Sequence, residues 1–250
     1  VKCYSGRFSS SRAATFKRQR MLLSPKKRSG TRPSINRTKN PKQALILFNV
    51  QQDHLDNVLF PGERLTEEFL RNLDLLLELE FDAKIWVKTL HPINHHLIAQ
   101  NIPGSKENSY TYISKHGEAI VWKEHCMEGT SGSKWSDRFY PAPDNYVVTT
   151  SYGLESPSPN TPSAELLSCL RENDIDQIFC AGFAIDHFIS HGALNFRQVM
   201  PRLDMFVVMD LTKSLHNAVS PSVTLDTQLK WTFLKKCKSN EVFQMFGAQS

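Results

Sequence analysis

Histidine and carboxylate side chains gather at a few short places in this 250-residue chain. The segment KTLHPINHH brings His91, His95 and His96 directly after a strand-like run, and VWKEHCMEGTSG adds His125 just before a glycine-containing turn. Neutral imidazole is a common metal ligand, so His91, His95 and His125 form a candidate three-nitrogen set for zinc or iron. No Asp or Glu lies between Asp82 and Glu107 to complete it. The other place is CAGFAIDHFISHGALNF, 180–196, which reads as a buried strand, a tight turn and a helix entrance. A thiol mounted there would be activated by unpaired N–H groups and the helix dipole. The side chain at that entrance is Phe188, which has no atom that can attack. Asp186 and His187 precede it, and Asp53 follows the first strand; these three are the candidate polar contacts of a site. Of the thiols, Cys180 falls inside a strand, where cysteine is inert packing, and Cys126 follows His125 without an assigned base.

These residues need a scaffold, and the apolar pattern supplies one. QALILFNV (43–50) is a continuous apolar run, the mark of a strand buried on both faces. RLTEEFLRNLDLLLELE (64–80) repeats Leu65, Phe69, Leu73, Leu76 and Leu77 at helical spacing. Strands follow at 83–90, 146–150, 176–183 and 204–210, with helices at 161–173 and 186–200 between them. The helix at 161 has Thr161 as a cap and Pro162 in its first turn. Strands alternating with helices predict a three-layer α/β/α sandwich around a mostly parallel, doubly wound sheet. Working sites in such sheets lie at the carboxyl ends of strands. Here those ends are 49–53, 89–95, 149–152 and 182–188; they hold Asp53, His91, His95, Asp186, His187 and Phe188, with His96 just after the second end and His125 and Cys126 on the loop beyond. The C-terminal stretch 229–246 predicts a last strand or helix packing on the sheet edge, with docking of Phe243 and Phe246 on a partner as the alternative.

Charge divides the chain in two. Thirteen of its thirty lysines and arginines, and none of its twenty-five acids, fall within residues 1–42. The remainder therefore carries a formal charge of −8. The basic segment 1–42 lacks apolar periodicity and cannot offset its ordering entropy alone, so it is expected to be extended. The folded domain is expected over 43–250. A segment of this charge suits a polyanionic partner, RNA or an acidic protein surface, through counterion release. Without interleaved aromatics it would not read base sequence. Its first half is similar to a mitochondrial transit peptide in composition. SPKK (24–27) would be weakened as a polyanion contact by phosphorylation of Ser24. Five scattered cysteines with no CxxC spacing exclude a disulfide framework. No apolar run reaches the roughly 20 residues of a membrane span. A mitochondrial or cytoplasmic rather than secreted protein is expected, with homo-oligomerisation left open.

The ordered segments resemble those of the isochorismatase-like cysteine hydrolases, most of all the nicotinamidases, across roughly 43–217. ALILFNVQQDHLDNVLFPGERL is similar to a first strand ALIVVDVQNDF, VKTLHPINHHLI to TRDWHPxxHxSF, VWKEHCMEGTSGS to WPxHCVxGTxGA, and CAGFAIDHFISHGAL to VxGxATDHCVxxTAL. The resemblance implies hydrolysis by a Cys, Asp and Lys triad and, in nicotinamidases, a metal ion. It places the Cys on Phe188, the Asp on Asn49 and the Lys on Thr149 or Thr150. The metal-site Asp falls on Thr89, while His91, His95 and His125 are kept. Asparagine cannot act as the base, threonine cannot supply the cation, and phenylalanine cannot attack. Loss of a nucleophile alone removes most of the rate of a coupled triad. The expectation is a pseudoenzyme without a resident cofactor, serving as a structural or binding part of a larger anionic assembly. Such an assembly would be a ribonucleoprotein or an acidic filament. The alternatives are a metal-dependent hydrolase using zinc or iron at the three histidines, with Asp53 or Asp186 as base, and a small-molecule sensor that binds a nicotinamide-like ring.

Overall fold

The computed structural model describes residues 40–56, 58, 65–113, 117–143, 145–151, 164–183, 193–213 and 234–248. The expectations for 1–39, for the helix caps Thr161 and Pro162, and for Asp186, His187 and Phe188 lie outside them. Six strands form one sheet in the order β5-β2-β1-β6-β7-β8, and every pairing is parallel. They are β1 (Gln43–Phe48), β2 (Ala83–Leu90), β5 (Tyr146–Ser151), β6 (Gln177–Gly182), β7 (Asp204–Thr212) and β8 (Lys235–Cys237). The strands expected from the apolar runs stand at these places with ends moved by a residue or two.

β1 lies in the middle, and its alternate residues face opposite layers. Ala44, Ile46 and Phe48 pack in a cluster with Leu166 and Leu170 of α3 (Ala164–Glu172) and Phe196 of α4 (Ala193–Val199). Leu45 and Leu47 pack on the other side with Phe69, Leu73 and Leu76 of α2 (Glu67–Glu78). Helix α2 starts where the sequence allows a cap: the Thr66 hydroxyl accepts the Phe69 N–H at 3.1 Å, with Glu67 and Glu68 in the first turn. Helices on both faces make the three-layer sandwich expected from the alternation.

Two elements were not legible in the sequence. A short helix, α1 (Gln52–Leu55), follows β1 directly, and an antiparallel hairpin joins β3 (Ser109–Ile113) to β4 (Gly117–Val121). The hairpin runs through SYTYI, whose alternation is too short to separate from loop. The C-terminal stretch packs on the sheet edge as expected, and its two phenylalanines take part in that packing. After β8 comes α5 (Ser239–Met245), whose first residue is held by Asp210: one carboxylate oxygen accepts the Ser239 N–H at 2.8 Å and the other its hydroxyl at 2.6 Å. That anchor turns Phe243 into the core beside α2 and β7, and sets Phe246 against Phe81 at 4.5 Å between ring centroids. Phe243 is thus committed to the core covering β7 and β8, and Phe246 is half-buried against Phe81. No helix among the described residues is long and apolar enough to cross a membrane.

The chain enters the sheet at its amino end. Lys42 is tied there by its N–H to the Asp176 carboxylate at 3.1 Å, and its carbonyl accepts from Asp176 and Gln177. The carboxyl ends of β1, β2 and β6 lie at the opposite end of the strands. Phe243→Ala should therefore cost about 3–5 kcal/mol in chemical denaturation, as for other core phenylalanines. A partner-docking residue would instead leave stability nearly unchanged.

Candidate functional site

The carboxyl end of β1 builds the site. Asn49 takes a left-handed backbone, φ 52°, a conformation that asparagine tolerates better than most side chains. This turns its N–H to the Val87 carbonyl at 2.7 Å and its side chain into the interior, where it is buried. There Asn49 Oδ1 accepts the Thr89 hydroxyl at 2.9 Å, and Asn49 Nδ2 donates to the Phe183 carbonyl at 3.1 Å. The side chain thus joins the ends of β1, β2 and β6. It needs an acceptor and a donor at once, which an amide has and a carboxylate lacks. The approach of β6 is close enough that a Cβ at Gly182, φ 111°, would collide with the Phe48 carbonyl.

Gln51 repeats the device one step on. Its Nε2 donates to the carbonyls of Thr89 and Ser133, both at 2.9 Å, and its Oε1 accepts the Thr89 N–H at 3.0 Å. Asp53 closes the same loop. Its Oδ2 accepts the Cys126 N–H at 2.6 Å, and its carboxylate lies against Gly132, where any side chain would overlap it. Its backbone N–H donates to the Gly132 carbonyl at 3.1 Å. Asp53 therefore sits at the strand ends as the sequence suggested, holding the 125–133 loop with its carboxylate.

His91, His95 and His125 do come together. The ring centroids of His91 and His95 are 4.7 Å apart, as are those of His91 and His125, and all three are buried. Sequence reasoning missed a fourth member. His54, in α1, lies 5.7 Å from His125 and is stacked on Phe183 at 5.7 Å. Its position two residues after Gln52 in a short helix gave no signal, because α1 is too short to show periodicity. His96 extends the row beyond His95 at 4.7 Å.

The tautomers bear on what this row can hold. His125 Nδ1 lies 2.7 Å from the Lys123 carbonyl, which can only accept, so Nδ1 carries the proton and Nε2 the lone pair. His95 Nδ1 accepts the Leu97 N–H at 3.3 Å, which leaves the proton of the neutral ring on Nε2. His95 and His125 thus present opposite nitrogens. Thr89, where the resemblance puts a carboxylate ligand, gives its proton to Asn49 instead. Among the described residues no three His, Cys, Asp or Glu side chains are grouped as a metal ion requires. The residues present in this geometry do not fit the ion that the resemblance implies.

The thiols are kept in their neutral form. Cys126 is fully buried with φ 48°, and burial pushes its pKa up, followed by the Asp53 charge, with Lys88 offsetting part of the effect. A carboxylate and an ammonium are thus felt at Cys126, yet the balance disfavours the thiolate. Cys180 is buried within β6 and raised as well. Burial also depresses the pKa of His54 well below that of free imidazole, with His125 adding to it, and that of His125, where the Lys123 carbonyl and Asp53 work the other way. Thr149 lies in β5, in register with Lys88 of β2. A separate cleft of about 370 Å3 lies between α2 and the end of β7, lined by Thr66, Asn72 and Lys213 among others, and none of the histidines borders it.

Comparison with solved structures returns the same architecture. A nicotinamidase and pyrazinamidase from Acinetobacter baumanii superposes with a TM-score of 0.57 at 19% identity, covering 82% of this chain and 100% of that one. The yeast nicotinamidase bound to the inhibitor nicotinaldehyde gives 0.59 at 17%, covering 78% and 99%. The pyrazinamidase of Pyrococcus horikoshii in complex with zinc gives 0.51 at 17%, covering 79% and 99%. No family model and no curated protein sequence matches. The chain has the isochorismatase-like α/β fold of the nicotinamidases, at identities where fold alone is shared.

Two outcomes test this description. Asn49→Asp should destabilise the protein by roughly 2–4 kcal/mol at neutral pH in urea, because a buried carboxylate oxygen would face the Phe183 carbonyl; equal stability would mean that the acid is accommodated. Histidines held neutral by burial bind fewer protons folded than unfolded, so stability is complete above the unfolded pKa of about 6.5 and falls as pH drops below it. Thermal melts should fall by several degrees from pH 7.5 to 5.5, and His54→Phe should flatten that slope.

Proposed function

We propose that this chain is a catalytically inactive relative of the nicotinamidase-type hydrolases, used as a structural or binding part of a larger anionic assembly. Its basic segment 1–42 is the tether, and RNA or an acidic protein surface is the partner. The observation that carries this reading is the Asn49 amide, locked between the Thr89 hydroxyl and the Phe183 carbonyl. A neutral group with both ends engaged stands where the resemblance needs a proton acceptor. Phe188 and Thr149, at the positions of the nucleophile and the cation, point the same way. Cys126 is a poor substitute nucleophile, since it is buried and its thiolate is disfavoured. The segment 40–42 joins the body at the amino ends of the strands, opposite the carboxyl ends of β1 and β2.

One observation favours a hydrolase instead: four buried histidines and Asp53 share the strand ends. Both readings meet in one set of assays. The full chain, supplied with zinc or iron and screened against nicotinamide and related amides and esters, should show no turnover above buffer. Turnover abolished by His91→Ala or Cys126→Ala would overturn the inactive reading. Binding to RNA or to polyglutamate should weaken steeply between low and moderate salt and vanish when residues 1–42 are removed. Equal binding by the shortened protein would remove the tether.

A further inference from the structure

The two positions at which the resemblance puts carboxylates, Asn49 and Thr89, are hydrogen-bonded to each other in this chain. Thr89 Oγ1 donates to Asn49 Oδ1 at 2.9 Å, and both side chains are buried. Two carboxylates at that separation would meet as acceptors, and would need a proton or a cation between them. A hydroxyl and an amide meet there without charge, so the junction needs no cation. Thr89 is also fixed through its backbone: Gln51 Oε1 accepts its N–H at 3.0 Å, and Gln51 Nε2 donates to its carbonyl at 2.9 Å.

The place of Thr89 in the strand bears on the histidines. β2 ends at Leu90, and His91 continues its course in a parallel bridge to Met127. Residues two apart on such a backbone share a face, so Thr89 and His91 lie on one side. The rings of His91 and His125, 4.7 Å apart at their centroids, are near enough for one ion to reach both. His125 carries its lone pair on Nε2, since its Nδ1 proton goes to the Lys123 carbonyl. The lone pair of His95 is turned to the Leu97 N–H, and Asp53 Oδ2 to the Cys126 N–H. Among the described residues, what this place lacks is a third donor. A neutral hydroxyl whose proton is given to Asn49 does not serve as one.

We propose that Thr89 is the residue that keeps a divalent ion out of the histidine row. With Thr89 in place the row is neutral packing, and a carboxylate or thiolate at position 89 would turn it into a zinc site. The Asn49 amide belongs to the same arrangement, because it supplies the acceptor that holds the Thr89 hydroxyl. The inference does not depend on the tethering role proposed above, and its test reads metal binding and melting, not turnover.

Zinc is the probe, at about pH 7.5, where free imidazole is neutral. The unaltered full chain should hold no stoichiometric zinc after dialysis, and should melt at the same temperature with and without the ion. Thr89→Asp should melt lower than the unaltered chain without zinc, since it loses the bond to Asn49. Added zinc should raise its melting temperature by several degrees, because the ion binds the folded form. His91→Ala in the Thr89→Asp background should abolish that rise. If Thr89→Asp does not fold, Thr89→Cys is close in volume and offers a thiolate ligand, and the same response to zinc is expected. Two results would overturn the proposal: one zinc per unaltered chain that is lost with His91→Ala, or a folded Thr89→Asp or Thr89→Cys that takes up no zinc.

Discussion

The middle strand of a parallel sheet must leave the core through its own carboxyl end, and the backbone groups it passes there are cut off from water. Around Asn49 the ends of β1, β2 and β6 meet in that condition. Buried carbonyls and N–H groups left without partners are costly, so something at this junction must donate and accept together. Asn49 and Gln51 do so with neutral amides, one bridging Thr89 to Phe183 and the other Thr89 to Ser133. Much of the site follows from that solution. An amide satisfies the junction without charge, and it gives up the proton acceptor that a carboxylate at the same place would provide.

The neighbouring groups are consistent with a junction arranged for packing. Asp53 spends its carboxylate on the Cys126 N–H and on the close approach of Gly132. The histidines stand edge to face or stacked, with nitrogens turned to backbone groups as at Lys123 and Leu97. Burial keeps Cys126 and Cys180 protonated and His54 and His125 neutral. Further charge lies in the exposed pair of Arg138 with Asp74, at the amino end of the sheet around Lys42, and above all in residues 1–42. This separation is what the proposed tethering role rests on.

The scaffold was legible because its signals are local. QALILF and AKIWVKTL are apolar runs bounded by polar residues, and strands appeared there within a residue or two. The spacing of Phe69, Leu73 and Leu76 is local in the same sense. The hairpin 109–121 and the four-residue α1 escaped because their patterns are too short to carry a period. That Phe243 packs rather than docks on a partner was left open by the sequence, because its burial depends on Asp210 holding Ser239, 29 positions away, at the start of α5. Within the site, the histidines after β2 were found from their density in the sequence. His54 was not, since only the fold carries α1 across to His125.

The sequence alone determined the alternation of strands and helices, the division into a basic segment and an acidic body, and the residue types at the strand ends. Those depend on side-chain chemistry and short-range spacing, which a linear chain displays openly. Tertiary structure alone decided which of those side chains share a proton. That Thr89 donates to Asn49, and that Gln51 bridges Thr89 and Ser133, follow from strand order and the loops it brings together. Hydrogen bonding falls away within a fraction of an ångström, and residues roughly forty or more positions apart reach that distance only once the sheet is assembled.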